Sequence, residues 1–350
     1  MNEKSLIMIY KDITHTIFSD IQTSSHSDFN HEKVFYYEDA KVGLKSLIAV
    51  HDTTKGPGIG GCRYKPYRSY AEGLTDVLRL SKSMTEKNIA ANIPFGGGKA
   101  IIFSENRKSK KMLESFANFL NLLDGMYISA QDIGISHEDI KFIRKFTPYV
   151  FDNVDPGPYT AKGIFYSIEA AIKFYYQSDL VGRKISIQGA GSVGLKLAYH
   201  LSNSGAIVYI QDIDTKKVQS ITSKNIIPVK NALIEECDLF APCAVGGILN
   251  DLSINELKCK IIAGGANNQL SNKTIDTKLY HLGINYIPDV LINSGGVIGL
   301  TKDYLNKNDL EIENDLVAIA DRALEYMKIA KKESKTVLDA MGGLFFKGWD

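Results

Sequence analysis

The sequence predicts an α/β protein in two parts: an N-terminal α/β domain, and a second domain built on a doubly wound parallel sheet, with a cleft between them. Three observations predict it. The chain has 350 residues, long enough for two domains with separate cores. From residue 160 onward short apolar runs alternate with helical patterns, which is how parallel strands joined by helical crossovers read. Ahead of that change, Asp152-Asn-Val-Asp-Pro-Gly-Pro158 interrupts regular structure and reads as a hinge. The expected boundaries are 1–152, joined by a returning C-terminal segment 325–350, and 153–324.

In the first domain, Ser46-Leu-Ile-Ala-Val50 reads as a strand, and His51 to Gly61 as a glycine-rich loop. Ala71 to Lys87 reads as a helix in which Val77, Leu80 and Met84 form an inward stripe that Lys87 continues. Tyr127 to Ala130 is a short strand delivering Gln131 and Asp132 at its end. In the second domain, Thr160 to Gln177 is helical. Strands follow at Lys184–Gln188, Ile207–Ile210, Cys237–Phe240, Lys260–Ala263 and Asn285–Ile287. Leu310 to Lys332 is a long amphipathic helix expected to lead back towards the first domain.

Composition narrows the function classes. Hydrophobic residues make up 44% and charged residues 23%, ordinary values for a soluble protein. A net charge of +1 supplies no field for nucleic acid or an anionic membrane. No apolar stretch is long enough to span a bilayer, and the N-terminus lacks the apolar run of a secretory signal, so a cytoplasmic location is expected. The four cysteines lack CxxC spacing, which argues against a zinc site or a disulfide framework, and no metal is expected.

Gly189-Ala-Gly191-Ser-Val-Gly194 follows a predicted strand and precedes a helix, Leu195 to Leu201. The first glycine permits the turn, the second the approach of a pyrophosphate, and the third close helix packing. Asp212 lies eighteen residues beyond Gly194, past the end of the next strand. A carboxylate there accepts hydrogen bonds from ribose hydroxyls and repels a 2′-phosphate, so the expected cofactor is NAD.

Lys87 and Lys99 stand twelve residues apart, the second directly after Gly96-Gly97-Gly98. Three glycines let the backbone approach a small ligand closely. Two amines at such a place suggest that one holds an anion and the other changes protonation state.

These segments, with Gly56-Pro-Gly-Ile-Gly-Gly-Cys-Arg63, Gln131-Asp-Ile-Gly134, Thr160-Ala-Lys-Gly163, Ala241-Pro-Cys-Ala244, Ala263-Gly-Gly-Ala-Asn-Asn-Gln269 and Ile292-Asn-Ser-Gly-Gly-Val297, resemble the glutamate/leucine/phenylalanine/valine dehydrogenases. The resemblance runs from about His51 to about Leu300 and is strongest to the leucine-type branch, with aromatic, tryptophan-type members close behind. It implies reversible oxidative deamination of an L-amino acid with NAD, by a homo-oligomer. Lys87 would hold the substrate α-carboxylate, Lys99 would act as general base on water, and Asp132 would shuttle the proton to and from nitrogen. Gly60 and Gly61 would line the carboxylate site. Gly189, Ala190, Gly191, Ser192, Val193, Gly194, Asp212, Thr160 and Ala244 would contact the cofactor. Asn268 and Asn293 would position nicotinamide or substrate. Asn267 stands where leucine-type members usually carry an aspartate.

In glutamate-specific members a lysine precedes the Gly-Gly-x-Arg motif; here that position is Ile59. A glutamate side chain beside it would be an unpaired carboxylate, a costly arrangement. Leu300, Ala130 and Val297 complete an apolar lining, so a hydrophobic substrate is expected. Leucine-type specificity leads and an aromatic substrate follows, with Gly299 expected to enlarge the pocket in the second case. A non-catalytic metabolite-binding protein ranks last, because Lys87, Lys99 and Asp132 are all present. Arg63 is expected to make an ion pair rather than touch substrate, and His51 to be structural.

Overall fold

A computed structural model describes residues 8–18, 29–104, 107–152 and 155–342. The described residues form two compact units, 8–152 and 155–342. The first contains β1 (Met8–Asp12), α1 (Thr14–Phe18), β2 (Lys33–Asp39), β3 (Leu44–Asp52), β4 (Gly58–Lys65), α2 (Tyr70–Ala91), β5 (Gly96–Phe103), α3 (Lys110–Leu122), β6 (Tyr127–Ala130) and α4 (His137–Ile143). Its six strands form one mixed sheet in the order β1-β2-β3-β5-β4-β6. The first three pairings are antiparallel, and β4 runs parallel to both β5 and β6.

Period-two alternation divides this sheet between two cores. Ile48, Val50, Ala100 and Ile102 face α3, meeting Met112, Phe116 and Leu120. Leu47, Ala49, Ile101 and Phe103 face α2, meeting Leu74, Val77 and Leu78. Lys99 falls in register with Ile101, on the α2 side of β5. Helix α2 starts where the Ser69 side chain accepts from the Glu72 amide, and it ends at Asn92, left-handed at φ 53°. Its buried face is Leu74, Val77, Leu78, Ser81, Thr85 and Asn88. The expected inward stripe is displaced: Leu80, Met84 and Lys87 are half-buried at the edge of that face. Large aliphatics at 74 and 78 outweigh the single Leu80 in choosing which side meets the sheet.

The expected loop from His51 to Gly61 is partly strand, since Gly58 to Gly61 pair with β6, and Gly58 and Ile59 also with β5. Strand β2 carries Phe35-Tyr36-Tyr37, with Tyr37 fully buried.

Beneath α2, the His31 imidazole Nε2 lies 2.7 Å from Ser81 Oγ, and His51 Nδ1 lies 2.9 Å from Thr85 Oγ1. Burial, helped by the neighbouring His51, pushes His31 down to about 3, and burial with the nearby Lys82 charge pushes His51 down to about 4. The unfolded chain takes up these protons near pH ~6.5, before the folded chain does. The pair's contribution is therefore complete above that pH and is lost as pH falls, by up to about 2 kcal/mol per imidazole at pH 5. Urea midpoints at pH 7.5 and pH 5 measure the loss; equal midpoints would rule out the buried neutral pair.

The second unit contains α5 (Gly157–Tyr176), β7 (Lys184–Gln188), α6 (Ser192–Asn203), β8 (Ile207–Gln211), α7 (Thr215–Gln219), β9 (Ile226–Pro228), β10 (Leu239–Pro242), β11 (Ile261–Ile262), α8 (Thr274–His281), β12 (Asn285–Tyr286), α9 (Asp289–Ile292), α10 (Gly295–Leu300), α11 (Asp309–Glu333) and α12 (Val337–Ala340). All its pairings are parallel, in the order β12-β11-β10-β7-β8-β9. The chain winds outward from β7 in one direction and from β10 in the other, so the reversal lies between those two strands. That is the doubly wound arrangement, which binds ligands at the carboxyl ends of the strands beside the reversal.

Residues 325–342, expected to join the first unit, belong to the second. Helix α11 packs along α5, burying Ile312, Leu316, Ile319, Ala323, Met327 and Ala330, so its apolar face runs past residue 325 without a break. Gly163 faces α11, where a Cβ would lie 2.9 Å from the movable end of the Ile319 side chain. The expected return at 343–350 lies outside the described residues. Cys237 and Cys259 are free thiols at the starts of β10 and β11, brought side by side by the Glu236–Lys258 bridge. Among the described residues no helix is long and apolar enough to cross a membrane, and no cluster suits a metal ion.

Candidate active site

Strands β4, β5 and β6 bring the first group of polar side chains together. Lys99 on β5 is 6% exposed. Its Nζ donates to Asp132 Oδ2 at 2.6 Å. Asp132 follows the end of β6, and the same oxygen accepts from Arg63 Nε of β4 at 3.0 Å. Burial opposes the Asp132 charge, but the Lys99 ammonium and then Arg63 more than offset it and hold the carboxyl below the ordinary carboxylate range. Arg63 also donates to Asp76 of α2 at 3.0 Å, and Asp76 accepts from the Tyr67 hydroxyl at 2.9 Å. The expected ion pair of Arg63 is thus present, and it reaches Asp132 itself. Its place in the Gly60-Gly61-Cys62-Arg63 run was the available signal; its partners, distant in the chain, were not readable.

Gly61 sits beside this pair, where a Cβ would lie 2.7 Å from Asp132 Cβ and 3.3 Å from Lys99 Nζ. Gly60 faces Met84, whose Cγ would lie 3.3 Å from a Cβ at that position. Lys87 follows Met84 by three residues on the same half-buried helical stripe. Ile59 and Ala130 are buried on β4 and β6.

The glycine triplet acts differently from its sequence reading. Its close approaches are to the protein's own chain. A Cβ on Gly96 would lie 1.6 Å from the Asp52 carbonyl, on Gly97 2.1 Å from the Thr85 amide nitrogen, and on Gly98 2.5 Å from the Tyr127 ring. Glycine is demanded there by helix and strand packing, which seats Lys99 rather than a ligand.

The second group lies at the carboxyl ends of β7, β8 and β10. Gly189 turns the chain at φ 101°, and a Cβ there would press on Ala244 at 2.9 Å. Gly194 needs its bare backbone because a Cβ would lie 1.9 Å from the Gly189 carbonyl oxygen. Gly191 is different: a Cβ there would meet nothing within 4 Å. Packing does not require that glycine, and the open space beside it would admit the close approach of a ligand. Ser192 opens α6, and Val193 is half-buried. Asp212 Oδ2 accepts from the Ala190 amide at 2.6 Å, so the acid and the turn are already tied together. Asp214 caps α7 instead. A dinucleotide fits these residues: an open turn, a helix N-terminus for phosphates, and an acid for ribose hydroxyls.

Thr160 on α5 donates to the Pro156 carbonyl at 3.0 Å, with Gly296 beside its hydroxyl. Asn293 is buried; its Nδ2 donates to Asn267 Oδ1 at 2.9 Å, and its Oδ1 has no partner. A buried acceptor without a donor is costly, and a ligand amide would satisfy it. Asn268 is exposed and left-handed, tied through its backbone amide to Asp289 Oδ2 at 2.9 Å. Asn293 thus bonds Asn267 and, at 3.5 Å, the Gly265 carbonyl. Val297 is buried and Leu300 half-buried on α10. Gly299 does not enlarge a pocket: the Tyr159 ring occupies the space, 2.4 Å from where a Cβ would stand.

The family model for the Glu/Leu/Phe/Val dehydrogenase dimerisation domain matches residues 31–149, and that for Glutamate/Leucine/Phenylalanine/Valine dehydrogenase matches residues 208–341. A leucine dehydrogenase of Geobacillus stearothermophilus is 38% identical over 320 residues, 87% of each chain. A phenylalanine dehydrogenase of Caldalkalibacillus thermarum is 36% identical over 334 residues, 89% of each chain. The crystal structure of L-tryptophan dehydrogenase from Nostoc punctiforme is similar at a TM-score of 0.80 and 36% identity, covering 90% of this chain and 95% of that one. Matched in both units and over most of its length, the chain belongs to the glutamate/leucine/phenylalanine/valine dehydrogenase family of amino acid dehydrogenases.

Proposed function

We propose that the protein catalyses the NAD-dependent, reversible oxidative deamination of a hydrophobic L-amino acid, leucine and its branched-chain relatives preferred, to the 2-oxo acid and ammonia. The observation that carries this reading is the buried contact between Lys99 Nζ and Asp132 Oδ2 at 2.6 Å, an ammonium and a carboxylate between which a proton can pass. Lys87 holds the substrate carboxylate on the first unit. The fingerprint and Asp212 hold NAD on the second, where its nicotinamide supplies the hydride acceptor. Lys99, once its proton has passed to Asp132 across the 2.6 Å contact, takes a proton from the water that attacks the imine carbon. Asp132, ionised at rest, passes the proton received from Lys99 to the departing nitrogen and takes it back in the reverse direction. Self-association through the first unit is part of the same reading.

Ile59 supports an apolar substrate, since it is 2% exposed and offers no charge to a side-chain carboxylate. A second reading, an aromatic amino acid as substrate, is favoured by the likeness to the tryptophan and phenylalanine enzymes. The filled space at Gly299 removes one argument for it. A panel of leucine, valine, isoleucine, phenylalanine, tryptophan and glutamate with NAD, followed by absorbance of the reduced cofactor, tests both. The expected result is the highest kcat/KM with leucine and negligible rate with glutamate. Absence of turnover with every member would sink the proposal.

A further inference from the structure

Lys87 and Lys99 belong to different elements, so their spacing depends on how α2 is registered against β5. Two buried side chains set that register, and Lys87 lies between them in sequence. Asn88, fully buried, donates from Nδ2 to the Gly96 carbonyl at 2.7 Å. This closes the turn from the last residues of α2 to the first residue of β5, three residues before Lys99. Thr85 bonds His51 of β3 at 2.9 Å and presses on Gly97. Each tie is short and made to a strand, the Asn88 bond fully buried and the Thr85 bond partly so, and sliding α2 against the sheet would break both.

We propose that Asn88 is the positioning residue that fixes the distance between the carboxylate-holding Lys87 and the base Lys99, with Thr85 and His51 as a second clamp. The proposal rests on the roles given to those lysines above. Asn88 touches no substrate; it acts through the placement of its neighbours. Misplacement of about 1 Å between a substrate anchor and a catalytic base costs up to about a hundredfold in rate.

The test uses the full-length protein with Asn88→Leu, which keeps the volume and removes the donor, and Thr85→Val, which removes the hydroxyl alone. Ser46→Ala is the control, because Ser46 makes a comparable buried bond to the Ile101 carbonyl of the same strand, 2.7 Å long. Asn88→Leu should lower kcat for the amino acid about tenfold or more, with a rise in its KM, and leave KM for NAD within about twofold. Thr85→Val should move the same way by less, and it decides the matter if Asn88→Leu does not fold. The control should lower Tm without moving kcat or either KM. An unchanged kcat, or a parallel rise in both KM values, overturns the proposal. If the wild type turns over no amino acid, the functional reading falls instead. Crystal structures of wild type and variant then decide the positioning claim, and an unaltered separation of the Lys87 and Lys99 Nζ atoms overturns it.

Discussion

Lys99→Ala is expected to lower kcat for amino acid oxidation by about a thousandfold, in the range of removing a positioned general base. The loss should fall on kcat more than on the KM for NAD, because the cofactor residues lie on the other unit. A second effect accompanies it. The Lys99 ammonium is the largest favourable influence on the Asp132 charge, so its removal should raise the Asp132 pKa and move the acid limb of the pH–rate profile upward. Arg63 remains bonded to Asp132 and keeps the carboxylate from being stranded, so the variant should fold. Added methylamine should restore part of the rate, because the truncated side chain leaves room for a small amine beside Asp132. Retention of wild-type kcat in the variant would remove Lys99 from the chemistry.

Gly97→Ala is expected to lower unfolding free energy by about 3 kcal/mol, the upper part of the range for overpacking a core. Gly→Ala at a strand position favours folding by about 0.5–1 kcal/mol through the unfolded chain. Sterics win, because the new methyl would lie 2.1 Å from the Thr85 amide nitrogen and 2.3 Å from the Ser81 carbonyl. Both are helix backbone, which cannot rotate aside as a side chain can. Helix α2 would have to lift from β5, loosening Leu74, Val77 and Leu78 from Val34, Leu47 and Ile101. Gly191→Ala is the informative contrast. Its φ of −69° suits alanine and nothing stands within 4 Å, so Tm should hold while affinity for NAD falls. Urea unfolding and cofactor titration of both variants read the difference; equal loss of stability would contradict the packing argument.

The two variants show how much of the site was legible. Both glycines were conspicuous in sequence and both suggested a ligand nearby. Only the neighbours of each, known once the chain is folded, separate a glycine required by packing from one left open. The same holds for α2: periodicity marked the helix, while the sheet's choice of face moved Leu80, Met84 and Lys87 to its edge. Arg63 illustrates a limit of another kind. Its partner Asp132 lies 69 residues away, and their contact exists only because β4 pairs with β6.

What the sequence by itself determined were the features encoded by residues close along the chain. These are the alternation of strands and helices, the fingerprint between β7 and α6, the acid after β8, the two lysines, and the apolar Ile59. Each follows from local periodicity or from a short motif whose spacing carries its own mechanism. What only the tertiary structure decided was which distant groups share a charge, which helix face is buried, and that residues 325–342 stay with the second unit. Those outcomes depend on strand register and on competition between surfaces for burial. A single residue cannot announce them, because the free energy belongs to the pair.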